Sequence, residues 1–115
     1  SGCMDDEAGF SLVDLLRRRG VTIIAGSDAP RGWVAPGASL RRELQLLTRA
    51  GFSAAEALHA ATAGAARALG LDHLGAVAPG NRADLVVLDG DPRHDLGQLA
   101  RVQHVLRAGR LGKAL

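Results

Sequence analysis

The sequence contains few aromatic residues and only one cysteine. Tyrosine is absent, Trp33 is the single tryptophan, and aromatic residues make up 3% of the chain. The core must therefore be built from Leu, Val, Ile and Ala, which bury less area per residue than large rings do. Because Cys3 has no second cysteine to pair with, the chain forms no internal disulfide. A reducing cytoplasm is the default expectation for its location.

Long apolar runs and clustered basic charge are also missing. No apolar stretch approaches the roughly 20 residues of a membrane-spanning helix, so we expect no membrane partner. The formal net charge is only +2, although the calculated isoelectric point is about 9.5. Basic residues are scattered, with Arg17 to Arg19 as the only run. Nucleic-acid binding needs a clustered basic face with stacking aromatics, so we expect no nucleic-acid partner.

The size and composition of the chain suit one small globular domain. Hydrophobic residues make up 47% and charged residues 23% of the 115 positions, which is typical of a folded protein rather than a disordered one. A complete (β/α)8 barrel needs roughly 250 residues. Any barrel feature in this chain would therefore belong to a part of a larger enzyme.

Asp28 is the most informative residue of the sequence. It follows the apolar run Val21–Ala25, which is short, β-branched and not alternating, and so predicts a strand over residues 21–26 that is covered on both faces. A carboxylate at the C-terminal tip of such a strand is where a parallel α/β barrel places its catalytic groups. The loop over residues 29–38 is rich in Pro and Gly and is typical of an active-site mouth.

Local signals predict two helices on either side of this strand. Residues 1–10 are polar and indicate a flexible lead, after which Ser11 has the residue type of a helix N-cap for a helix ending at Arg19. Ser39 can cap a second helix that runs to about Ala50.

A third helix and three strands are predicted in the rest of the chain. Ser53 and Glu56 have the spacing of a capping box, which predicts an alanine-rich helix continuing to about Leu69. The pattern then changes, and strands are predicted over residues 83–88, over residues 102–107 and near Leu111.

The order of these signals resembles the C-terminal part of the amidohydrolase superfamily, in particular its imidazolonepropionase-like and prolidase-like branch. The resemblance covers about residues 11–111. The residues that carry it are Gly26-Ser27-Asp28-Ala29, Leu40-x-x-Glu43-Leu44, Ala50-Gly51-Phe52-Ser53-x-x-Glu56-Ala57-Leu58, Ala61-Thr62, Ala66-x-x-Leu69-Gly70, Gly75-x-x-x-Pro79-Gly80-x-x-Ala83-Asp84-Leu85-Val86-Val87-Leu88, Asp91-Pro92 and Val105-x-x-x-Gly109-Arg110. Many relatives carry Asn after the Ala-Thr pair, where this chain has Ala63-Gly64.

The resemblance implies an α/β fold made of two incomplete pieces. Residues 11–73 would be the last part of a (β/α)8 metal-dependent hydrolase barrel, and residues 74–115 the C-terminal part of the flanking β-sandwich. In the family, N-terminal strands complete that sandwich. Gly80 and Asp84 would then be turn and packing residues.

The resemblance also implies a role for Asp28. In the family, the Asp after the eighth barrel strand binds a catalytic divalent metal, in many members zinc, or acts as a general base toward the metal-bound water. The other ligands of the family site include a His-x-His pair, which would lie upstream of Ser1. We therefore expect hydrolysis of a C–N bond other than an ordinary peptide bond in the complete protein, and no activity or bound metal in this chain alone.

The same resemblance makes the loop after Asp28 the mouth of the substrate pocket. Arg31 and Trp33 are its candidate lining residues, and the partner would be a small amide-type substrate. Deaminases, dipeptidases, lactamases and deacetylases share this site plan, so the fold does not select the substrate.

The histidines and the later acidic residues have simpler interpretations. No two histidines share a metal-binding spacing, which favours surface or packing roles for His59, His73, His94 and His104. The run Asp89-Gly90-Asp91-Pro92 indicates a turn, because Pro92 interrupts the pattern of a calcium loop.

A non-catalytic remnant or folding module is the alternative to an enzyme part. In that hypothesis Asp28 is incidental, and the unpaired strand over residues 21–26 invites pairing with a second copy through its open edges. Dimerisation or domain swapping would follow.

Overall fold

The computed structural model describes residues 7–29 and 38–112 of the chain. Helices come first and a three-stranded antiparallel sheet follows. Within these residues no helix is both long enough and apolar enough to cross a membrane. The elements are α1 (Glu7–Arg18), α2 (Ala38–Arg49), α3 (Ala54–Ala61), α4 (Ala63–Ala68), β1 (Leu85–Leu88), a 3₁₀ helix (Leu96–Ala100), β2 (Val102–Arg107) and β3 (Arg110–Leu111).

The best-buried side chains lie where α2 packs on α3. Leu47 is only 2% exposed, and complete burial of a leucine contributes about 1.5–3 kcal/mol. Leu96 and Leu99 of the 3₁₀ helix pack against the same cluster, which links the sheet part of the chain to the helices. The buried cluster consists of Leu44, Leu47, Phe52, Ala57 and Ala60.

α1 begins five residues earlier than an N-cap at Ser11 predicts. It starts at Glu7, so residues 7–10 of the predicted flexible lead are helical, and Ser11 lies inside the helix rather than at its N-cap. Glu7 in the first turn suits the positive end of the helix dipole. The Arg49 guanidinium of α2 lies 4.7 Å from the centroid of the Phe10 ring. This tertiary contact supports the additional turn and is not visible in the local pattern at Ser11.

Ser39 is not the N-cap of α2 either. The helix begins at Ala38, so Ser39 is already helical. An N-cap residue lies outside the helix and accepts a hydrogen bond from an amide of the first turn. The Ser39 Oγ is instead buried and has no hydrogen-bond partner in the described part of the chain.

The predicted capping box is confirmed, but the helix that it opens is shorter than predicted. The Glu56 amide donates to Ser53 Oγ at 3.0 Å, and the Ser53 amide donates to Glu56 Oε1 at 3.1 Å. The helix breaks at Thr62, where φ is −128° and ψ is −103°. Thr62 Oγ1 donates to the Leu58 carbonyl at 2.7 Å, a local bond of the kind that competes with helix geometry. α3 and α4 therefore replace the single predicted helix.

Residues 21–26 (the 21–26 segment) do not form the predicted strand within the described residues. A strand needs a hydrogen-bonded neighbour, and the backbone bonds of this segment are Val21 N–H to the Leu16 carbonyl and Ala25 N–H to the Ala60 carbonyl. The burial is one-sided, because Ile23 and Ala25 pack against the helical core while Ile24 is 39% exposed. The prediction of a strand covered on both faces is therefore not fulfilled by these residues alone.

Apolar side chains lie on both faces of the antiparallel sheet. The predicted strands over residues 102–107 and near Leu111 are confirmed, and β1 begins at Leu85. Val86 lies opposite Val105 on one face, and Leu106 lies between Leu85 and Leu111 on the other. Val86 is 56% exposed and Leu111 65% exposed, so neither face is fully covered by the described residues.

Candidate functional site

Asp28 lies two residues after the apolar 21–26 segment and has an unusual backbone conformation. Its side chain is exposed, and its φ of +54° lies in the left-handed region that residues with a Cβ rarely adopt. Aspartate tolerates this region better than most residues, because its short polar side chain can hydrogen-bond locally. Such backbone outliers cluster at functional sites, where the surrounding structure holds them in place.

The residues around Asp28 do not make up a metal site. No group of three His, Cys, Asp or Glu side chains able to hold a metal ion occurs among residues 7–29 and 38–112. A catalytic zinc site needs about three protein ligands, so the donors in this part of the chain do not fit a resident metal by themselves. The role of Asp28 stays a prediction, and Arg31 and Trp33 lie outside the described residues.

The four histidines lie on separate parts of the fold. His59 is on α3, His73 follows α4, His94 lies between β1 and the 3₁₀ helix, and His104 is on β2. No two of these histidines are three or four residues apart on one helix. None of them lies just after the 21–26 segment, where Asp28 is found.

A cavity of about 330 Å³ lies at the opposite end of the 21–26 segment from Asp28. Sequence reasoning missed it, because it forms between α1, α3 and the start of the segment. Its polar groups come from Arg17, Glu56 and His59, and its apolar wall includes Val21 and Phe52. The cavity is therefore separate from the predicted catalytic position.

Arg17 is held at this cavity by two carboxylates and an aromatic ring. Its Nη2 donates to Asp14 Oδ1 at 2.7 Å, and its Nη1 reaches Glu56 Oε2 at 3.5 Å. The guanidinium lies 5.7 Å from the Phe52 ring centroid. The hydrogen bond from Arg17 lowers the pKa of Asp14, and the amide hydrogen bond from Ser53 is the main cause of a lowered pKa at Glu56. The arrangement connects α1 to α3 and is structural.

Asp84 organises the turn between β2 and β3. Its Oδ1 accepts the Ala108 amide at 2.8 Å, and the Gly109 amide donates to the Ala83 carbonyl at 2.9 Å. Ala108 has a φ of +51° and Gly109 a φ of +78°, so the tight turn depends on these bonds. Asp84 is exposed, so within the described residues it stabilises this turn by hydrogen bonding rather than by packing.

The acidic residues of the predicted turn after β1 accept hydrogen bonds from arginine side chains. Asp91 Oδ2 accepts Arg93 Nη2 at 2.7 Å, and hydrogen bonds from Arg93 lower the pKa of Asp91 to about 2. Asp89 Oδ2 accepts Arg101 Nη2 at 2.7 Å. These carboxylates stabilise the turn.

Comparison with solved structures identifies the class of protein. The chain matches a candidate prolidase from Bifidobacterium longum with a TM-score of 0.82, at 40% identity over 90% of this chain and 26% of that one. It matches an Xaa-Pro dipeptidase with methionine bound in its active site with a TM-score of 0.80, at 27% identity over 92% of this chain and 26% of that one. The fold is thus a mixed α/β piece that matches amidohydrolase structures.

Sequence comparison identifies the family. Residues 10–112 match the amidohydrolase family, and the chain belongs to it. Over 65 residues, or 56% of its length, the chain is 48% identical to adenine deaminase 2 of Rhizobium meliloti (strain 1021). Members of the family are hydrolases that act on C–N bonds and generally use divalent metals. The family and the prolidase-like likeness predicted from the sequence are confirmed.

The chain spans only part of these relatives. It covers 26% of each of the two solved structures and 10% of the curated adenine deaminase.

Proposed function

We propose that this chain is the C-terminal portion of a metal-dependent amidohydrolase that hydrolyses a C–N bond in a small molecule. Asp28 is its contribution to the catalytic centre, as a metal ligand or as the general base toward the attacking water. The observation that carries the proposal is the position of Asp28, exposed at the end of the 21–26 segment with a φ of +54°. The divalent metal of the complete enzyme is proposed to be zinc, held mainly by residues outside this chain.

The one-sided burial of the 21–26 segment supports its proposed place in a barrel wall. Ile23 and Ala25 face the helical core, as strand residues face the helices of a barrel, while Ile24 points to the other side. Neighbouring strands on both edges and a covered second face would complete the burial expected of a parallel strand. We assign residues 11–73 to this barrel.

Apolar residues on both faces of the antiparallel sheet support its proposed place in a sandwich. A sheet exposed to water on one side alternates apolar and polar residues, whereas Val86 and Val87 are both apolar and face opposite sides of β1. One face would pack toward the barrel and the other on strands from elsewhere in the protein. We assign residues 74–115 to this sandwich.

The substrate is proposed to be a cyclic amide, an aminated ring or a prolyl dipeptide. The aminated ring and the prolyl dipeptide follow from relatives described as an adenine deaminase and an Xaa-Pro dipeptidase, and the cyclic amide follows from the imidazolonepropionase-like resemblance of the sequence. The loop around Arg31 and Trp33 would line the substrate mouth, and a cytoplasmic location is part of the proposal.

Metal content and activity test the proposal together. We expect the purified 115-residue chain, dialysed without chelator, to hold less than about a tenth of an equivalent of zinc, manganese or iron, because one carboxylate rarely retains a metal. In the polypeptide encoded by the complete reading frame, Asp28→Asn should lower kcat at least about a hundredfold. Asp72→Asn, a change at an exposed acid in the turn after α4, is the control. One equivalent of metal on the isolated chain, or full activity of Asp28→Asn, would contradict the proposal.

A self-associating module is the second candidate function. The observation that favours it is α1, which has no buried residue although Leu12, Leu15 and Leu16 give it an apolar stripe. A second copy could cover this stripe and pair with the open edges of the 21–26 segment. Sedimentation equilibrium of the polypeptide from the complete reading frame separates the two candidates. A metal-free dimer without hydrolase activity would favour the module.

A further inference from the structure

The core-facing stripe of α2 contains an acidic residue where the core ends. Residues four apart on a helix share a face, so Ser39, Glu43 and Leu47 form one stripe along α2. Its C-terminal half is buried, with Leu47 in the core cluster. Toward the N-terminus the covering stops, and Leu40, beside this stripe, is 38% exposed. Glu43 therefore lies on the core-facing side of α2, at the point where other residues cease to cover that side.

Glu43 is half-buried without a countercharge. No hydrogen bond or ion pair joins its carboxylate to any of the described residues. Burial raises its pKa, as expected for a carboxylate that loses water and gains no partner. The positions one turn away on α2 are serine or leucine, so the helix itself supplies no cation. They are Ser39, Leu40, Leu46 and Leu47.

Ser39 adds a second unsatisfied polar group one turn from Glu43. Its Oγ is buried and makes no hydrogen bond within the described residues. Buried polar groups in folded proteins are nearly always paired, and leaving one unpaired is unfavourable. Two such groups at i and i+4 on one helix face indicate a shared partner that carries several donors.

We propose that Ser39 and Glu43 form the docking point for a basic side chain from the part of the amidohydrolase polypeptide that lies outside these 115 residues. An arginine or lysine offers the several donors that the carboxylate and the hydroxyl can both accept. Its aliphatic stem would cover Leu40, as the stems of long basic side chains cover apolar surface elsewhere. The inference rests on the proposed function, which supplies the missing polypeptide, because the chain covers only 26% of its solved relatives.

The test compares variants of the polypeptide encoded by the complete reading frame. Glu43→Gln keeps the shape of the side chain and removes its charge, and should reduce the folded-to-unfolded equilibrium constant by about tenfold or more, since hydrogen bonds to charged groups are the stronger ones. Ser39→Ala should reduce it by a smaller factor. Glu7→Gln, at an exposed position in the first turn of α1, should leave it nearly unchanged.

A direct titration keeps the test independent of folding stability. In the complete polypeptide with ¹³C-labelled glutamate, the Glu43 carboxyl should titrate below the ordinary range of glutamate, because a cation favours the charged form. The proposal is overturned if Glu43→Gln costs no more than Glu7→Gln, or if Glu43 titrates above that range. Either of these two contradicting results could be obtained with a metal-dependent, active polypeptide in which Asp28→Asn abolishes turnover. Failure of this inference is therefore distinguishable from failure of the proposed function.

Discussion

At the scale of single residues, Asp28 occupies a backbone conformation that glycine would adopt at lower free energy. A left-handed φ costs a residue with a Cβ about 1–2 kcal/mol, and somewhat less for aspartate. With a φ of +54°, Asp28 is therefore a position at which the backbone conformation and the proposed role of the carboxylate can be tested separately.

Replacement of Asp28 by glycine should change stability and activity in opposite directions. Asp28→Gly is expected to raise the free energy of unfolding of the complete polypeptide by about 0.5–1 kcal/mol, because the strain at positive φ is relieved. The same variant should lose at least about a hundredfold in kcat. Urea unfolding and steady-state kinetics measure the two effects. Asp28→Asn, which tolerates positive φ, is the control that should lose activity without gaining stability.

The capping box at α3 provides the second residue-scale prediction. Ser53→Ala removes the Oγ that accepts the Glu56 amide, and should destabilise the fold by about 1 kcal/mol. Ser11→Ala is the matched control, because Ser11 lies inside α1 and makes no cap, and alanine is the better helix former. Equal effects of the two changes in urea unfolding would count against the assignment of the cap.

At the scale of elements, α1 is attached by the partly buried Val13, which packs against the core cluster, and by contacts of charged side chains. It has no buried residue, and its contacts include the Arg17 network and the Arg49–Phe10 contact. Only the 3.5 Å contact from Arg17 to Glu56 joins α1 to α3, because Asp14 lies on α1 itself. The pKa of Glu56 is lowered chiefly by the Ser53 amide and to a smaller extent by Arg17. Attachment of α1 should therefore depend on pH.

Acid should loosen α1 before it loosens α2. A carboxylate whose pKa is lowered in the folded state stabilises the fold fully above its unfolded pKa, near 4, and this contribution is lost as the pH falls through the lowered value. Amide hydrogen exchange of α1 should therefore accelerate relative to α2 as the pH falls below about 4. Arg17→Gln should produce the same acceleration at pH 7, whereas Arg19→Gln, at an exposed position after α1, should not. Unchanged exchange of α1 in Arg17→Gln would contradict the assigned role of the network.

The elements that sequence reasoning predicted well are those with complete local signals. The Ser53–Glu56 capping box and β2 contain the residues that define them, and both are confirmed. Ser11 and Ser39 have the residue type of caps, but contacts from elsewhere decide where α1 and α2 begin. The break at Thr62 depends on one side-chain hydrogen bond, which competes with a strongly helical composition. The strand predicted over residues 21–26 was not confirmed for a different reason, since a strand requires a hydrogen-bonded neighbouring strand that the described residues do not contain.

For the candidate site, too, only the part with a local sequence signal was predictable. The position of Asp28 after an apolar run follows from local sequence. The family on which its proposed catalytic role rests is confirmed by the match over residues 10–112. The other ligands of the proposed metal site would lie outside these 115 residues, so no local pattern in this chain could indicate them. The Arg17 cavity was missed because Arg17 and Glu56 are 39 positions apart.

At the scale of the whole molecule, the isolated chain exposes apolar surface on several sides. The exposed residues fall on α1, on the outer side of the 21–26 segment and on both faces of the sheet. Monomeric proteins rarely expose several such patches, which mark surfaces that pack against another part of a protein. The isolated chain should therefore bind apolar dyes and associate with itself as its concentration rises.

Leucines at covered and uncovered positions should respond differently to substitution. Leu15 on α1 is 48% exposed, whereas Leu47 on α2 is 2% exposed. Leu47→Ala removes core packing and should destabilise the chain by about 2–5 kcal/mol. Leu15→Gln should have little effect on unfolding and should weaken self-association in sedimentation equilibrium, because it removes apolar surface that only another chain or another domain would cover. If Leu15→Gln instead unfolds the chain as Leu47→Ala does, α1 packs against the core more closely than the structure indicates, and the uncovered stripe on α1 cannot be a docking surface.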